Sequence, residues 1–235
     1  MASPRDVSPK EVISELTTER LSVYLRCLTY LESANEKTVS SHELARRFHL
    51  NSAQIRKDLA YFGEFGIRGV GYDVTRLKQT LINTLGLDRE RTVIISGAGN
   101  LGMALANYKG FHSGGFRIAA LLDTDPRRYD RKTRSGVVVY SADRLIEVVK
   151  ENSVEIGIIA VPAEEAQAVY DAMVDSGICA VLNFAPVQIR RRDGVKLKSV
   201  DLRINLESLS FYLKNAPDVA CENPLDSFLT PTRRL

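Results

Sequence analysis

The stretch Thr92-Val93-Ile94-Ile95-Ser96-Gly97-Ala98-Gly99-Asn100-Leu101-Gly102-Met103-Ala104-Leu105-Ala106-Asn107-Tyr108 leaves this chain few folds to choose from. A β-branched run stops at Gly97, and small and apolar residues resume at helical spacing, so the segment reads as a buried strand, a glycine turn and a helix. Glycines in this order build a dinucleotide site. Gly97 makes the tight turn, Gly99 lets the backbone approach a pyrophosphate, and Gly102 lets the helix pack on the strand with its first amides toward the phosphates. The expected contact loop is therefore Gly97, Ala98, Gly99, Asn100, Leu101 and Gly102. Asp123 ends the apolar run 118–122, about twenty residues past the last glycine. A carboxylate there accepts hydrogen bonds from a ribose and repels a 2′-phosphate, so NAD+ and NADH are the predicted cofactors. Glycines also punctuate strand–helix turns for purely structural reasons; the strand before, the helix after and the acid at this distance favour the cofactor. Arg127 and Arg128 follow Asp123 closely enough to meet a 2′-phosphate, the alternative to NAD(H), but the charged run 127–134 reads as a solvated loop.

The chain has 235 residues, 44% of them hydrophobic, which suggests two domains. No run approaches the ~18 apolar residues that span a bilayer, and residues 1–10 lack the basic-then-apolar form of a secretory leader. A cytoplasmic protein with no membrane partner is expected. The three cysteines, Cys27, Cys179 and Cys221, are far apart and without metal-ligand spacing, so they read as reduced thiols with no metal, Cys27 and Cys179 in the core. A net charge of +3 neither demands nor excludes nucleic acid, because a local basic face matters more than the total.

Ser8-Pro9-Lys10-Glu11 has the form of a helix start, and Leu21, Tyr24, Leu25, Leu28 and Leu31 then form an apolar stripe. After a polar break at 33–37 come two further capping boxes, Ser40-Ser41-His42-Glu43 and Asn51-Ser52-Ala53-Gln54. The first opens a helix carrying Leu44, Ala45 and Phe48 inward; the second opens one carrying Ile55, Leu59 and Phe62, with only His49-Leu50 between them. This is helix-turn-helix spacing. The second helix keeps Ser52, Gln54, Arg56, Lys57 and Tyr61 off its apolar stripe, mixing phosphate-binding cations with side chains able to reach base edges. Residues 65–74 read as a glycine-broken hairpin with Arg68 near its tip, a wing able to place a cation in a minor groove. Any small helical domain has capped helices and polar faces, and residues 40–78 carry seven Lys/Arg against four Asp/Glu, a modest excess. The order of the parts is what predicts a winged helix that binds double-stranded DNA.

Leu77, Leu81, Ile82 and Leu85 form a linking helix stopped by Gly86, with a boundary near Asp88. Strands are expected at 116–122, 137–140, 155–161 and 179–184, with helices at 143–152 and 164–176, which builds a parallel sheet. Pro162 and Asn183-Phe184-Ala185-Pro186 fall at the carboxyl edge, where ligands sit in open α/β sheets; proline after a strand is also an ordinary terminator. Residues 205–214 form a last helix, too apolar through Leu206, Leu209, Phe211 and Leu213 to stand free, followed by a loosely ordered tail. The fold class is α/β: a winged-helix domain at 1–88, a Rossmann domain at 89–202, and a C-terminal helix with its tail at 203–235.

Several strings in this order are familiar: Gln54-Ile55-Arg56-Lys57-Asp58-Leu59-Ala60-Tyr61-Phe62-Gly63, Arg68-Gly69-Val70-Gly71-Tyr72, the loop from Gly97 to Gly102 with Ala106-Asn107-Tyr108, Asn183-Phe184-Ala185-Pro186 and Val200-Asp201-Leu202. Together they resemble the redox-sensing transcriptional repressor family Rex, over roughly residues 17–214. The resemblance implies a homodimer on a palindromic operator, a Rossmann domain sensing the NADH/NAD+ ratio, release from DNA by NADH, and a C-terminal helix swapped between subunits. It also implies an allosteric relay of Arg26, Tyr108 and Asp201 that changes partners between the two states, with Tyr108 near the nicotinamide. Met103 departs from the family, standing where many relatives have a basic residue, and the tail runs longer than the resemblance leads one to expect.

A second reading is a small NAD-dependent dehydrogenase with an N-terminal dimerisation domain. Such an enzyme commonly uses His, Lys or Tyr beside the nicotinamide. Here His42 and His49 lie in the helix-turn-helix and His112 in a glycine-rich loop, and no substrate domain is evident, so no catalytic residue is assigned. A CoA- or nucleotide-binding ligase subunit, the third reading, would carry no winged helix.

Overall fold

The computed structural model describes residues 13–63, 66–67 and 70–215. The chain divides at Arg91 and Thr92 into two compact units, with residues 110–115 grouped with the first.

In the first unit α1 (Glu15–Ser33) buries Leu21, Tyr24, Leu28 and Leu31, the stripe read from the sequence. Its cap is Ser14, whose Oγ accepts the Thr17 N–H at 3.2 Å; the helix start expected at Ser8 lies outside the described residues. After β1 (Thr38–Val39), α2 (Ser41–Phe48) and α3 (Ser52–Ala60) open at the predicted caps. Ser40 Oγ accepts the Glu43 N–H at 3.0 Å, and Asn51 Oδ1 accepts the amides of Ala53 and Gln54. His49 ends α2 in the left-handed conformation, which turns the chain directly into α3. Leu44, Ile55 and Leu59 from this pair share one core with α1 and with Val74, Leu77 and Leu81 of α4 (Val74–Thr84). β2 (Gly66–Ile67) and β3 (Gly71–Asp73) form the expected antiparallel hairpin. β1, too short to show any periodicity, pairs with the other side of β3.

The second unit holds β4 (Arg91–Ser96), α5 (Asn100–Ala106), β5 (Phe116–Asp123), β6 (Val139–Ser141), α7 (Leu145–Asn152), β7 (Ile156–Ile159), α8 (Ala163–Asp175), β8 (Ala180–Asn183), β9 (Lys196–Ser199) and α9 (Leu202–Asn215), while α6 (Lys109–Ser113), between α5 and β5, groups with the first unit from residue 110 on. The first residue of β4 and α6 mark where the two units divide along the chain. Sheet order is β6-β5-β4-β7-β8-β9, so the chain leaves the central β4 toward one edge and returns to its other side at β7. That reversal opens a crevice beyond the carboxyl ends of β4 and β7. Ile94, Ala120, Leu122, Ile159 and Val181 of the sheet pack with Tyr170 and Met173 of α8 in one apolar core.

Four expectations are corrected. Cys179 is exposed, because Ile178 before it turns inward and takes the buried place. His112 lies on the short helix α6 rather than in a loop. The run 127–134 is not simply solvated: Thr133 is buried, Lys132 bridges to Val138, and Arg128 is drawn onto Asp123. The last helix begins at Leu202, since Asp201 Oδ1 accepts the Arg203 N–H and starts it three residues early. β9 is an addition that the sequence reading passed over. Only Leu197 faces inward between Lys196 and Lys198, a pattern suited to an edge strand but too brief to form an apolar run. Asn183 is fully buried and stitches its own loop, accepting the Ala185 N–H and donating to the Ala185 and Val187 carbonyls.

One polar cluster sits inside the first unit. Asp58 is 1% exposed and accepts from Arg20 Nε at 2.6 Å, Arg20 Nη2 at 2.8 Å, the Tyr24 hydroxyl at 2.9 Å and Gln54 Nε2 at 2.8 Å. Burial pushes its pKa up, but the hydrogen bonds from Arg20, Gln54 and Tyr24 outweigh this and hold it below its ordinary value. This contribution to stability is complete above the ordinary carboxylate value of 3.8 and is lost as the pH falls through the folded-state value. Asp58→Ala should therefore destabilise the chain by roughly 2–4 kcal/mol at pH 7, below the largest losses for buried pairs because Arg20 can return to water. Urea midpoints followed by circular dichroism should show the gap narrowing toward pH 3; a gap equal at both pH values would contradict the ionic account.

Candidate dinucleotide site and nucleic-acid interface

Where β4 ends, Gly97 takes φ +102°, and a Cβ there would run into the Ala160 carbonyl at the exit of β7. Its N–H donates to the Leu122 carbonyl at 2.7 Å, tying the turn to β5 as well. A Cβ on Gly102 would overlap the Gly97 carbonyl oxygen, so α5 can fold back this closely only on glycine. Gly99 differs. A Cβ there would meet nothing within 4 Å and its φ is −71°, so neither packing nor backbone strain demands glycine. What glycine provides at 99 is bare backbone on the open side, the property a closely approaching pyrophosphate needs.

The open side is a cavity of about 560 Å³, a volume suited to a cofactor. Gly97, Gly99, Asn100, Leu101, Asp123 and Pro162 line it, joined by Thr124, Asp125 and Arg128. Of the residues expected at the cofactor, Ala98 lines a smaller neighbouring cavity and Gly102 lies under the loop. Tyr108, exposed just beyond α5, lines neither, and Asn183-Phe184-Ala185-Pro186 is absent from both linings.

Asp123 is 7% exposed and holds the loops around it together. Its Oδ2 accepts the Ala98 N–H at 2.7 Å and Arg128 Nη1 at 2.8 Å, while Oδ1 accepts the Asp125 N–H at 2.8 Å. Burial raises its pKa, but the Asp125 amide, Arg128 and the Ala98 amide together bring it below the ordinary value, so the carboxylate is ionised at neutral pH. The Ala98 amide is therefore committed to Asp123 rather than to a phosphate.

On the first unit, Arg56, Lys57 and Tyr61 are exposed along α3 and its end, with Arg56 Nη1 donating to Ser41 Oγ at 3.0 Å. Ser52 and Gln54 are half-buried, and the Gln54 amide is turned onto Asp58, leaving it less reach than the two cations. Arg68 lies outside the described residues. Arg26 is exposed on α1, and Asp201 is half-buried at the start of α9. The sequence reading missed Asp58 and the role of Arg128; Asp58 was detectable, since it falls three residues after Ile55 and beside Leu59, on the apolar stripe of α3. His42, His49 and His112 are all exposed, and none lines either cavity.

Residues 12–60 match a family model described as "Putative DNA-binding protein N-terminus", and residues 88–187 match one described as "CoA binding domain". A DNA-binding head and a nucleotide-binding Rossmann fold in one chain define a ligand-responsive transcriptional regulator. The redox-sensing transcriptional repressor Rex of Streptomyces avermitilis is 48% identical over 200 residues, covering 85% of this chain and 79% of that protein. A crystal structure of RSP with β-NAD+ and operator DNA is similar at a TM-score of 0.83 and 37% identity, covering 88% of this chain and 94% of that one. RSP with β-NADH gives 0.79 and 34%, covering 93% and 99%. The chain belongs to the Rex family of redox-sensing transcriptional repressors. Its relatives are regulators, which sets aside the dehydrogenase reading, and the DNA-binding match over 12–60 sets aside the ligase subunit.

The glycines separate packing from ligand contact. Gly102→Ala should lower stability by several kcal/mol, because the added carbon has no room. Gly99→Val, at the N-cap of α5, should cost only about 1 kcal/mol yet weaken NADH binding by at least about tenfold. Thermal melts beside a fluorescence titration with NADH read both; a Gly99→Val protein that binds NADH normally would exclude this loop as the contact.

Proposed function

We propose that this chain represses transcription in the cytoplasm by binding double-stranded palindromic operator DNA as a homodimer, and that NADH releases it. The observation that carries the reading is one chain holding both an exposed cationic helix, with Arg56 and Lys57, and a crevice with bare backbone at Gly99 beside the buried acid Asp123. Within the proposed boundaries 1–88, 89–202 and 203–235, DNA contact belongs to Ser52, Gln54, Arg56, Lys57 and Tyr61, with Arg68 in the wing. Homodimerisation is supported by α9, where Leu206, Leu209, Phe211 and Leu213 are each 59–71% exposed. A swapped helix on a second copy would remove that surface from water, at roughly 25 cal/mol per Å² of apolar area.

NADH and NAD+ share every group that the loop 97–102 and Asp123 would touch, so these residues cannot tell the redox states apart. Discrimination then falls to the nicotinamide end, which we assign to Tyr108. Linkage sets the requirement: a ligand that binds the free and operator-bound forms equally shifts nothing, and a near-complete switch needs several kcal/mol of differential affinity. We assign the relay to Arg26, Tyr108 and Asp201, with the carboxylate exchanging a tyrosine hydroxyl for a guanidinium.

A gel-shift titration with NADH, run beside an absorbance assay for hydride turnover, tests the whole reading. Operator binding should fall with NADH and respond far less to NAD+, with no turnover. Arg56→Ala with Lys57→Ala should abolish most operator affinity and reduce the salt slope by about two, while NADH binding stays unchanged. Unaltered operator affinity in that double variant would refute the interface. Asp201→Ala should leave both ligands bound but weaken their mutual exclusion; the same NADH-induced change in operator affinity as the unaltered chain would mean the coupling runs elsewhere.

A further inference from the structure

The run after Asp123 brings an arginine to the buried carboxylate proposed to choose which dinucleotide fits. A carboxylate offers about four acceptor positions, and Asp123 has committed three: to the Ala98 amide, the Asp125 amide and Arg128. The two amides belong to the turns on either side and cannot withdraw without unmaking them. Arg128 can withdraw. Its side chain is 40% exposed, it rides on a single 3-10 turn, and Asp125 Oδ2 lies 3.7 Å from its Nε as a second tether. An incoming ribose that seeks two acceptors on Asp123 therefore takes the place Arg128 holds.

The displaced guanidinium has a destination. Arg128 lines both the 560 Å³ crevice and the adjoining cavity of about 320 Å³, and Gly99 and Asn100 are shared between them as well. The second cavity is completed by Ala98, Met103, Arg131 and Val139, so two arginines line it and, among the described residues, no carboxylate does. Arg127 stays apart. Its side chain is 87% exposed and forked onto Asp125 at 2.9 Å.

We propose that Arg128, with Arg131 behind it, is a specificity-determining cationic subsite for a 2′-phosphate, held in check by its pairing with Asp123. The inference rests on the reading that the crevice holds the adenosine end of a nicotinamide dinucleotide. Selectivity between NADH and NADPH is then a difference of two opposed terms at one place. Asp123 accepts from the 2′-hydroxyl and repels a phosphate there, while Arg128 competes with the hydroxyl for Asp123 and attracts the phosphate by charge-assisted hydrogen bonds. The carboxylate wins in the resting chain because two fixed amides hold it in place, and the arginine blunts the exclusion without reversing it. Removing the cation should sharpen the preference for NADH; removing the acid's charge should hand the subsite to NADPH.

The test uses the full chain, with NADH bound by fluorescence titration and NADPH added as competitor. In the unaltered chain NADPH competes, with a Ki above the Kd of NADH. Arg128→Gln should raise the ratio of Ki for NADPH to Kd for NADH by about tenfold, the effect of one charge-assisted hydrogen bond, and adding Arg131→Gln should raise it further. Asp123→Asn should lower the ratio. Because Asp123 also holds two backbone amides, folding of that variant is checked by circular dichroism, and the Arg128→Gln comparison decides the matter alone. A ratio unchanged in Arg128→Gln, or no competition by NADPH in the unaltered chain, would overturn the proposal. Failure of NADH itself to bind the unaltered chain would remove the dinucleotide reading and the proposal with it.

Discussion

The close approach of α5 to the end of β4 governs the second unit. The helix returns so tightly that Gly102 abuts the carbonyl of Gly97, while Gly97 itself is pressed against the Ala160 carbonyl. Two glycines therefore hold three elements together at the point where the sheet reverses direction. The geometry has consequences further along the chain. With the turn in that position the Ala98 amide faces Asp123, and the 2.7 Å bond between them fixes the tip of β5 against the loop. The crevice and the position of its acid follow from this packing contact; the bare backbone at Gly99 does not, since a Cβ there would meet nothing.

The first unit depends on a different kind of contact. Its apolar core supplies the bulk of the stability, about 1.5–3 kcal/mol for each large side chain buried, through Leu21, Leu28, Leu31, Ile55, Leu77 and Leu81 among others. Such contacts are non-directional, and they allow neighbouring helices to slide or rotate. Asp58 restricts that freedom. Four donors from α1 and α3 converge on one buried carboxylate, so the rotation of α3, and with it the direction in which Arg56 and Lys57 project, is set by directional bonds. The net energy of such a cluster is smaller than that of the core, because desolvation offsets much of the attraction. Its effect is on orientation.

Asp58 and Asp123 share a design. Each is a carboxylate taken nearly out of water and kept ionised by hydrogen bonds that outweigh the cost of burial. They differ in their donors. All those on Asp58 come from side chains of the helices it joins, whereas Asp123 combines two backbone amides with one partly exposed arginine. The first arrangement locks a surface in place; the second leaves one donor at the solvent edge, the place where the proposed exchange with a ribose acts.

The local pattern of residues determined a large share of this protein: the strand, turn and helix around the three glycines, the caps at Ser40 and Asn51, the buried stripe of α1, and the alternation of strands and helices that follows. These are decided within a few residues, by hydrogen bonds to neighbouring amides and by helical or strand period. Tertiary structure alone decided the rest. β1 and β9 exist because a partner strand accepts them, Cys179 is exposed because Ile178 takes the inward place, and Asn183 is buried where it closes its own loop. Arg128 read as a surface charge because its partner is set by how the loop after β5 folds back, not by spacing. The burial of Asp58 shows in its place on the stripe of α3, but its donors do not, since Arg20 and Tyr24 lie more than thirty positions away along the chain. Periodicity reports which face of an element is covered; which charged group answers another depends on distances that exist only after the chain has packed.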